Sequence, residues 1–139
     1  MAVDYGDARV GLAVSDMSAT LTGDAWVLSV RNPTDIADVI VAEAITRGVS
    51  TIVVGYPKNM DGTVGPRAQI SEQFATMLIE KCAACGHSGI VVALWDERMT
   101  TMSAHRILTD TGTFGKKRKN SVDAVAASLI LESYLRSLS

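Results

Sequence analysis

The sequence predicts an α/β fold: a mixed five-stranded sheet, made of a three-strand antiparallel meander followed by parallel strands, with helices on both faces. Three short strand-like segments open the chain with no helix between them, which indicates the meander. Further along, helix-periodic and strand-like segments alternate, which is typical of parallel crossover connections. With 139 residues, of which 47% are hydrophobic, the chain is expected to form a single domain over residues 1–139.

The meander is expected to begin with a short strand, because only three residues precede Asp4. A hairpin turn at residues 4–8 would join Met1–Asp4 to a second strand at Arg9–Ser15. Trp26–Val30 is predicted as the third strand.

The helical period starts at Pro33 and ends before Gly48, in agreement with the preference for proline at the start of a helix and glycine just beyond its end. A buried strand at Val49–Tyr56 and a loop at Pro57–Gly65 follow. The next helix ends at Gly86 and has an apolar stripe with four-residue spacing, predicted to face the core: Ile70, Phe74, Leu78 and Cys82.

The last third of the chain is predicted to hold a fifth strand, a short helix and a long final helix. The strand covers Ile90–Trp95 and the short helix covers residues from about 102 to 110. A polar, basic loop at Thr111–Asn120 would follow, with Ser121 as the N-cap of the final helix. Leu138 is expected on the buried face of that helix.

The net charge of −2 does not suit a globally basic nucleic-acid binder. Four of the 13 basic residues nevertheless stand together, and the rest of the chain then has 9 bases against 15 acids: the run is Lys116, Lys117, Arg118 and Lys119. The sequence therefore suggests either a local contact with a polyanion or a solvated basic loop.

Three acidic residues lie where predicted elements start or stop. Asp4 closes the first strand, Glu97 follows the fifth, and Asp123 opens the final helix. If these ends converge on one edge of the sheet, the carboxylates would repel one another unless divalent cations neutralised them. Taken singly, each acid also has an ordinary structural explanation. Asp4 suits a hairpin turn, Glu97 a solvated strand end, and Asp123 the first turn of a helix.

The two cysteines, Cys82 and Cys85, have C-x-x-C spacing but lie at the end of a helix, where the dipole opposes thiolate formation. A zinc site would need further ligands, and the chain has only two histidines. Both thiols are predicted to lie in or near the core.

Four motifs in this order resemble the YqgF/RuvX family of the ribonuclease H-like superfamily. The first is Asp4-Tyr5-Gly6 with the segment from Arg9 to Asp16, and the second runs from Val54 to Thr63. The third is Asp96 to Thr101 and the fourth is Val122 to Ala127. Two departures from the pattern are Ala8, where relatives often carry Lys, and Tyr56, where Leu is common.

The resemblance implies a nuclease that processes pre-16S rRNA. The same family was earlier assigned to the resolution of Holliday junctions. The resemblance also implies that Asp4, Glu97 and Asp123 form the catalytic centre. Carboxylates suit Mg²⁺ or Mn²⁺, and we expect a two-metal site in which Asp4 touches both ions.

Residues expected to bind nucleic acid come from the loop after the fourth strand, the third motif and the basic run: Lys58, Asn59, Arg98, Lys116, Lys117, Arg118 and Lys119. Their partner would be the phosphate backbone of structured RNA or branched DNA. Lys58 and Asn59 equally suit a polar turn.

The apolar runs are short and no secretory signal is readable, so we expect a cytoplasmic protein without membrane association, as a monomer or homodimer. The resemblance leaves two alternatives to rRNA processing open. One is a resolvase of four-way DNA, which would need a symmetric dimer. The other is a non-catalytic factor that binds nucleic acid in transcription.

Overall fold

The structure is a computed structural model that describes residues 1–16, 22–29, 32–99 and 115–138, with only the backbone described at 99 and 115–122. Its strands are β1 (Ala2–Tyr5), β2 (Arg9–Ser15), β3 (Thr22–Ser29), β4 (Thr51–Tyr56) and β5 (Val91–Asp96). The helices are α1 (Pro33–Thr46), α2 (Pro66–Ala84) and α3 (Gly115–Ser137), and a single 3₁₀ turn covers Glu97–Met99. The short helix predicted near residues 102–110 lies outside the described residues.

The five strands form one sheet in the order β3-β2-β1-β4-β5. β1 pairs antiparallel with β2, which pairs antiparallel with β3, whereas β4 runs parallel to both β1 and β5. The predicted mixed sheet with an opening meander is therefore confirmed. Because β1, β4 and β5 are parallel, their carboxyl ends lie at one edge of the sheet.

The core has two layers, one on each face of the sheet. α1 and α2 cover one face with residues such as Ile40, Phe74 and Leu78, packed on Val3, Leu12 and Val54. On the opposite face α3 contributes Ala127, Ile130 and Leu131, packed on Ala2, Ala13 and Val53. Helices on both faces confirm that part of the prediction. No helix in the described part of the chain is long and apolar enough to cross a membrane.

The largest difference from the sequence prediction concerns the start of α3. This helix begins at Gly115, so Lys116–Lys119 lie in its first turns and Ser121 is inside the helix. Lys and Arg are good helix formers, so the run can continue the helix and needs no loop. The prediction of a basic loop through Asn120 was therefore wrong, and Asp123 lies more than two turns into the helix.

Two strand starts also differ. β3 begins at Thr22 rather than Trp26, because the long β2 strand offers ladder partners up to Ser15, which pairs with Thr22. Gly23 and Asp24 are weak strand formers and conceal this extension in the sequence. β4 begins at Thr51, since the N–H of Val49 is still bonded to the carbonyl of Ala44 at the end of α1.

The buried stripe of α2 rotates away from the predicted one. Phe74, Leu78 and Cys82 are buried, but Ile70 is 40% exposed. A four-residue spacing drifts by about 40° per step from a helix of 3.6 residues per turn, so the buried face passes through Ala68 and Ser71. Leu138, which follows the last residue of α3, is 65% exposed against expectation.

Only one of the two cysteines follows its prediction. Cys82 is buried in the core, whereas Cys85 is exposed at the helix end. Both thiols are free.

Candidate active site

Asp4 lies on the α3 face of the central strand β1. Its neighbours Val3 and Tyr5 pack on the α1/α2 side of the sheet, and side chains alternate between faces along a strand. Asp4 pairs with Gly11 of β2, and the parallel register with β4, in which Val3 pairs with Val54, places Gly55 on its other side. The carboxylate is thus flanked by two residues without side chains.

These two glycines let other parts of the chain approach Asp4. A Cβ at Gly11 would lie 2.1 Å from the backbone carbonyl oxygen of Asp123, so α3 crosses directly over this point of the sheet. A Cβ at Gly55 would lie 2.8 Å from Cδ of Glu97 and 2.9 Å from its Oε1. The space above Gly55 is therefore filled by the Glu97 carboxyl.

Asp4 and Glu97 form a hydrogen-bonded carboxyl pair. Burial raises the pKa of Glu97 to about 8, and the charge of Asp4 adds to this rise. Burial also raises the pKa of Asp4, with a smaller upward contribution from Asp123, while the bond from Glu97 opposes the rise. Two adjacent carboxyls that cannot both ionise favourably form a site that attracts positive charge.

Asp123 is close enough for its charge to act on Asp4, but its carboxylate has another partner. Nε of Arg9 donates to Oδ2 of Asp123 at 2.8 Å. Among the described residues, no three Asp, Glu, His or Cys side chains are arranged to hold a metal ion. The structure therefore brings two of the predicted acids into contact and places the third beside them, in an ion pair.

Arg67 is a charged neighbour of the acids that sequence reasoning missed. It lies in the first turn of α2, and its charge lowers the pKa of both Asp4 and Glu97. Its Nη1 atom is 3.3 Å from Oδ2 of Asp7, and both side chains are largely exposed. The only signal in the sequence is its place after Pro66, where the loop following β4 ends and a helix begins.

The loop after β4 has a defined internal structure. Asn59 donates from its backbone to the carbonyl of Thr63 and from its side chain to Oγ1 of Thr63. The Lys58 ammonium lies 5.5 Å from the centre of the Tyr56 ring. Asn59 thus has the polar-turn role that was one of its two predicted readings, and the cation of Lys58 remains at the edge where the acids lie.

Arg98 is directed toward the neighbouring carboxylate of Asp96. Its Nη2 atom donates to Oδ2 of Asp96 at 2.6 Å, and its Nε atom contacts both oxygens. The pair lowers the pKa of Asp96 through the hydrogen bonds from Arg98. Of the basic run at Lys116–Lys119, the structure describes the helical backbone alone.

Comparison with known proteins places the chain in a family. The family model described as "RuvX: Holliday junction resolvase" matches residues 1–137. The chain belongs to the RuvX family. The prediction drawn from the four motifs is confirmed.

Relatives of this RuvX-family chain match along nearly their whole length. A protein of Halothermothrix orenii is 38% identical, over 97% of this chain and 92% of its own. A protein of Desulfitobacterium hafniense is 41% identical, over 97% of this chain and 89% of its own. One from Geobacillus kaustophilus is 41% identical, over 99% of this chain and 96% of its own. All three bear the name "Putative pre-16S rRNA nuclease".

The family description and the names of the relatives both denote enzymes that cleave nucleic acid. The predicted enzyme class, a hydrolase acting on phosphodiester bonds, is confirmed at the level of this family. In the RuvX-family chain described here, the acid pair between Gly11 and Gly55 is the part of the structure whose chemistry suits that class.

Proposed function

We propose that this chain is a divalent-metal-dependent nuclease that processes the 5′ end of pre-16S rRNA. The observation that carries the proposal is the Asp4–Glu97 carboxyl pair, held at the carboxyl edge of the parallel strands with Asp123 beside it. The names of the relatives support the substrate, since they match over nearly the full chain. Processing of bacterial rRNA would place the protein in the cytoplasm.

The donor set fits Mg²⁺ or Mn²⁺. Both ions prefer hard oxygen ligands, and a divalent cation would offset the repulsion between the two adjacent carboxylates. Asp4 and Glu97 would hold the ion or ions, and Asp123 would complete the set. A bound divalent cation supplies an activated water and neutralises charge that develops on the phosphate.

The remaining residues serve to bind and orient the nucleic acid. Arg67 brings a guanidinium to the amino-terminal end of α2, which carries the positive end of the helix dipole, so both favour a phosphate next to the acid pair. Lys58 and the run Lys116–Lys119 would contact the phosphate backbone, which contributes affinity without sequence preference. Arg98, which pairs with Asp96 through Nε and Nη2, would join them by extending or exchanging that contact.

Cleavage of branched DNA is the second candidate, and the description of the family model favours it. Symmetric cutting of a four-way junction needs two copies of the site at a fixed spacing, hence a homodimer. Trimming of an RNA end would require a single copy.

The test is a cleavage assay with Mg²⁺ or Mn²⁺ and with EDTA as the metal-free control. The substrates are a pre-16S 5′-leader fragment, a four-way DNA junction and plain duplexes. Asp4→Asn and Glu97→Gln each lose at least about 100-fold in rate, because even the outer hydrogen-bond partners of metal ligands are worth about 10–100-fold. Asp38→Asn is the matched control, since Asp38 is an exposed acid that pairs with Lys81 on the opposite face of the sheet.

Metal-dependent cutting of the leader RNA, lost in both acid variants, supports the proposal. Symmetric cutting of the junction alone, by a dimer, favours the resolvase. Binding without cleavage of any substrate, with the fold intact, contradicts both and favours a non-catalytic factor.

A further inference from the structure

The ion pair between Arg9 and Asp123 joins the first residue of β2 to α3. The Nε–Oδ2 distance is 2.8 Å, and the exposed fractions of the two side chains are 31% and 23%. The pair is thus more enclosed than the ion pairs of Arg67 with Asp7 and of Lys81 with Asp38, each of which has a largely exposed aspartate. The carboxylate of Asp123, next to the Asp4–Glu97 pair, is therefore already paired with a cationic side chain of the protein, that of Arg9.

The backbone of Asp123 is already fixed without this ion pair. The space at Gly11 lets the carbonyl of Asp123 lie directly on β2, and α3 is anchored further on by the buried side chains of Ile130 and Leu131. Arg9 is therefore not needed to hold the helix on the sheet. Arg9 instead determines which group pairs with the Asp123 carboxylate. That carboxylate lies near enough to Asp4 for its charge to act on the Asp4 carboxyl.

We propose that Arg9 competes with the divalent cation for Asp123: its guanidinium holds the carboxylate in the cation-free protein and releases it when Asp123 joins Asp4 and Glu97. This inference rests on the proposed metal-dependent function. Arg9 is on this view a positioning residue, because it acts through Asp123. Its charge neutralises the Asp123 carboxylate next to Asp4 and Glu97 until a divalent cation binds. Arg9 thereby raises the metal concentration at which the site fills.

The charges give the direction of the effect. Removing the positive charge of Arg9 makes the site more negative and frees Asp123, so a divalent cation binds more tightly. Arg9→Gln is expected to lower the Mn²⁺ dissociation constant by about two- to fivefold, the range that corresponds to the strength of partly exposed ion pairs. A residue that merely supported the fold would weaken metal binding when replaced.

The experiment is a calorimetric titration of the full chain with Mn²⁺ alone, without nucleic acid. Arg9→Gln is compared with wild type and with Arg47→Gln. Arg47 pairs with Glu43 and Asp24, which are not part of the proposed metal site. In an Asp123→Asn background, the Arg9→Gln substitution should no longer change the affinity, since the carboxylate for which it competes is gone. Thermal unfolding without metal verifies that each variant is folded.

A second measurement follows Arg9 in the wild-type protein and uses the variant only to assign the resonance. The Nε–H resonance of Arg9 in wild type, assigned by its loss in Arg9→Gln, should shift and exchange faster with water when Mg²⁺ saturates the site. An unchanged resonance overturns the inference, as does an Arg9→Gln affinity that is equal to or weaker than that of wild type. In both cases the proposed function stands if wild type binds Mn²⁺ and Asp4→Asn does not. If wild type binds no Mn²⁺, the proposed function and this inference both fail.

Discussion

The carboxyl groups of Glu97 and Asp4 share a hydrogen bond, above a glycine that leaves room for the Glu97 side chain. Asp4 comes from β1 and Glu97 from the turn after β5, with β4 between the two strands. The Glu97 side chain thus reaches across β4 at Gly55, where any Cβ would obstruct it. The pair therefore connects β1 to the end of β5 across the strand between them.

The first prediction concerns the pH dependence of stability in metal-free buffer. Because folding raises the pKa of Glu97 from 4.5 to about 8, the folded state holds a proton that the unfolded state releases over this range. The free energy of unfolding should therefore fall as the pH rises from about 4.5 to 6, by at most about 1.4 kcal/mol per pH unit for one proton. Above pH 6 the amino terminus, whose pKa burial lowers from 8.0 to about 6, acts in the opposite direction and should level the curve. Denaturant melts at several pH values measure it.

The matched variant for this experiment is Glu97→Gln, which cannot ionise and should flatten that part of the curve. Saturating Mg²⁺ should flatten it in wild type as well, since the cation stabilises the ionised acids. A wild-type stability that rises between pH 4.5 and pH 6 without metal would contradict this prediction.

The second prediction concerns the space at Gly55. Gly55→Ala places a methyl group 2.8 Å from both Cδ of Glu97 and Cδ1 of Ile130, so both side chains must shift to make room for it. Overpacking of this kind costs about 1–3 kcal/mol of stability, and displacement of Glu97 should also weaken Mn²⁺ binding. Thermal melts and metal titration of the same sample report the two effects.

Gly89→Ala is the control for this substitution, because a Cβ there meets nothing within 4 Å. It should change stability by no more than about 0.5 kcal/mol and leave metal binding as in wild type. If Gly55→Ala behaves like Gly89→Ala, the Glu97 carboxyl does not occupy the space above Gly55.

The third prediction concerns Arg67. Its charge lowers the pKa of both acids, so Arg67→Gln should raise the pKa of Glu97 further and shift the pH–rate profile to higher pH. Preorganised donors contribute about 10²–10³-fold to catalysis, and the exposure of Arg67 places its loss at the lower end of that range. The profile is measured from pH 6 to pH 9.

Arg136→Gln provides the comparison, since Arg136 is an exposed arginine in the last turn of α3, whose Nε donates to the carbonyl of Glu132. Its profile should coincide with that of wild type. An Arg67→Gln profile at the wild-type pH, with an unchanged rate, would exclude Arg67 from the site.

The fourth prediction concerns the basic run at the start of α3. Replacement of Lys116 and Lys117 by Gln should make the dependence of binding on salt shallower, by about 0.7–0.9 in log–log slope for each phosphate that the protein no longer neutralises. Lys81→Gln, which removes a lysine paired with Asp38, should leave the slope as it is. Equal slopes for all three proteins would show that the run does not touch the nucleic acid.

Much of the fold follows from local signals in the sequence. Pro33 and Gly48 bound the first helix closely, and the run from Arg9 to Ser15 forms a strand over the predicted residues. The predictions fail where a local signal competes with a longer-range contact. Ser121 has the chemistry of an N-cap, yet the helix runs through it, and Ile70 continues an apolar stripe but faces outward because the packing surface follows the helical period.

Residues that are neighbours in the chain are enough to predict the family, the order of the described strands and helices, and the three acids proposed to form the site. The pairing of those acids is a property of the folded chain alone: Glu97 with Asp4, and Asp123 with Arg9, 114 residues away. No local pattern encodes that pairing, since it depends on which residues of β2 and β4 lack a side chain where other elements cross them. Gly11 and Gly55 are ordinary strand glycines in the sequence, and they acquire their role only when folding places α3 and Glu97 against them.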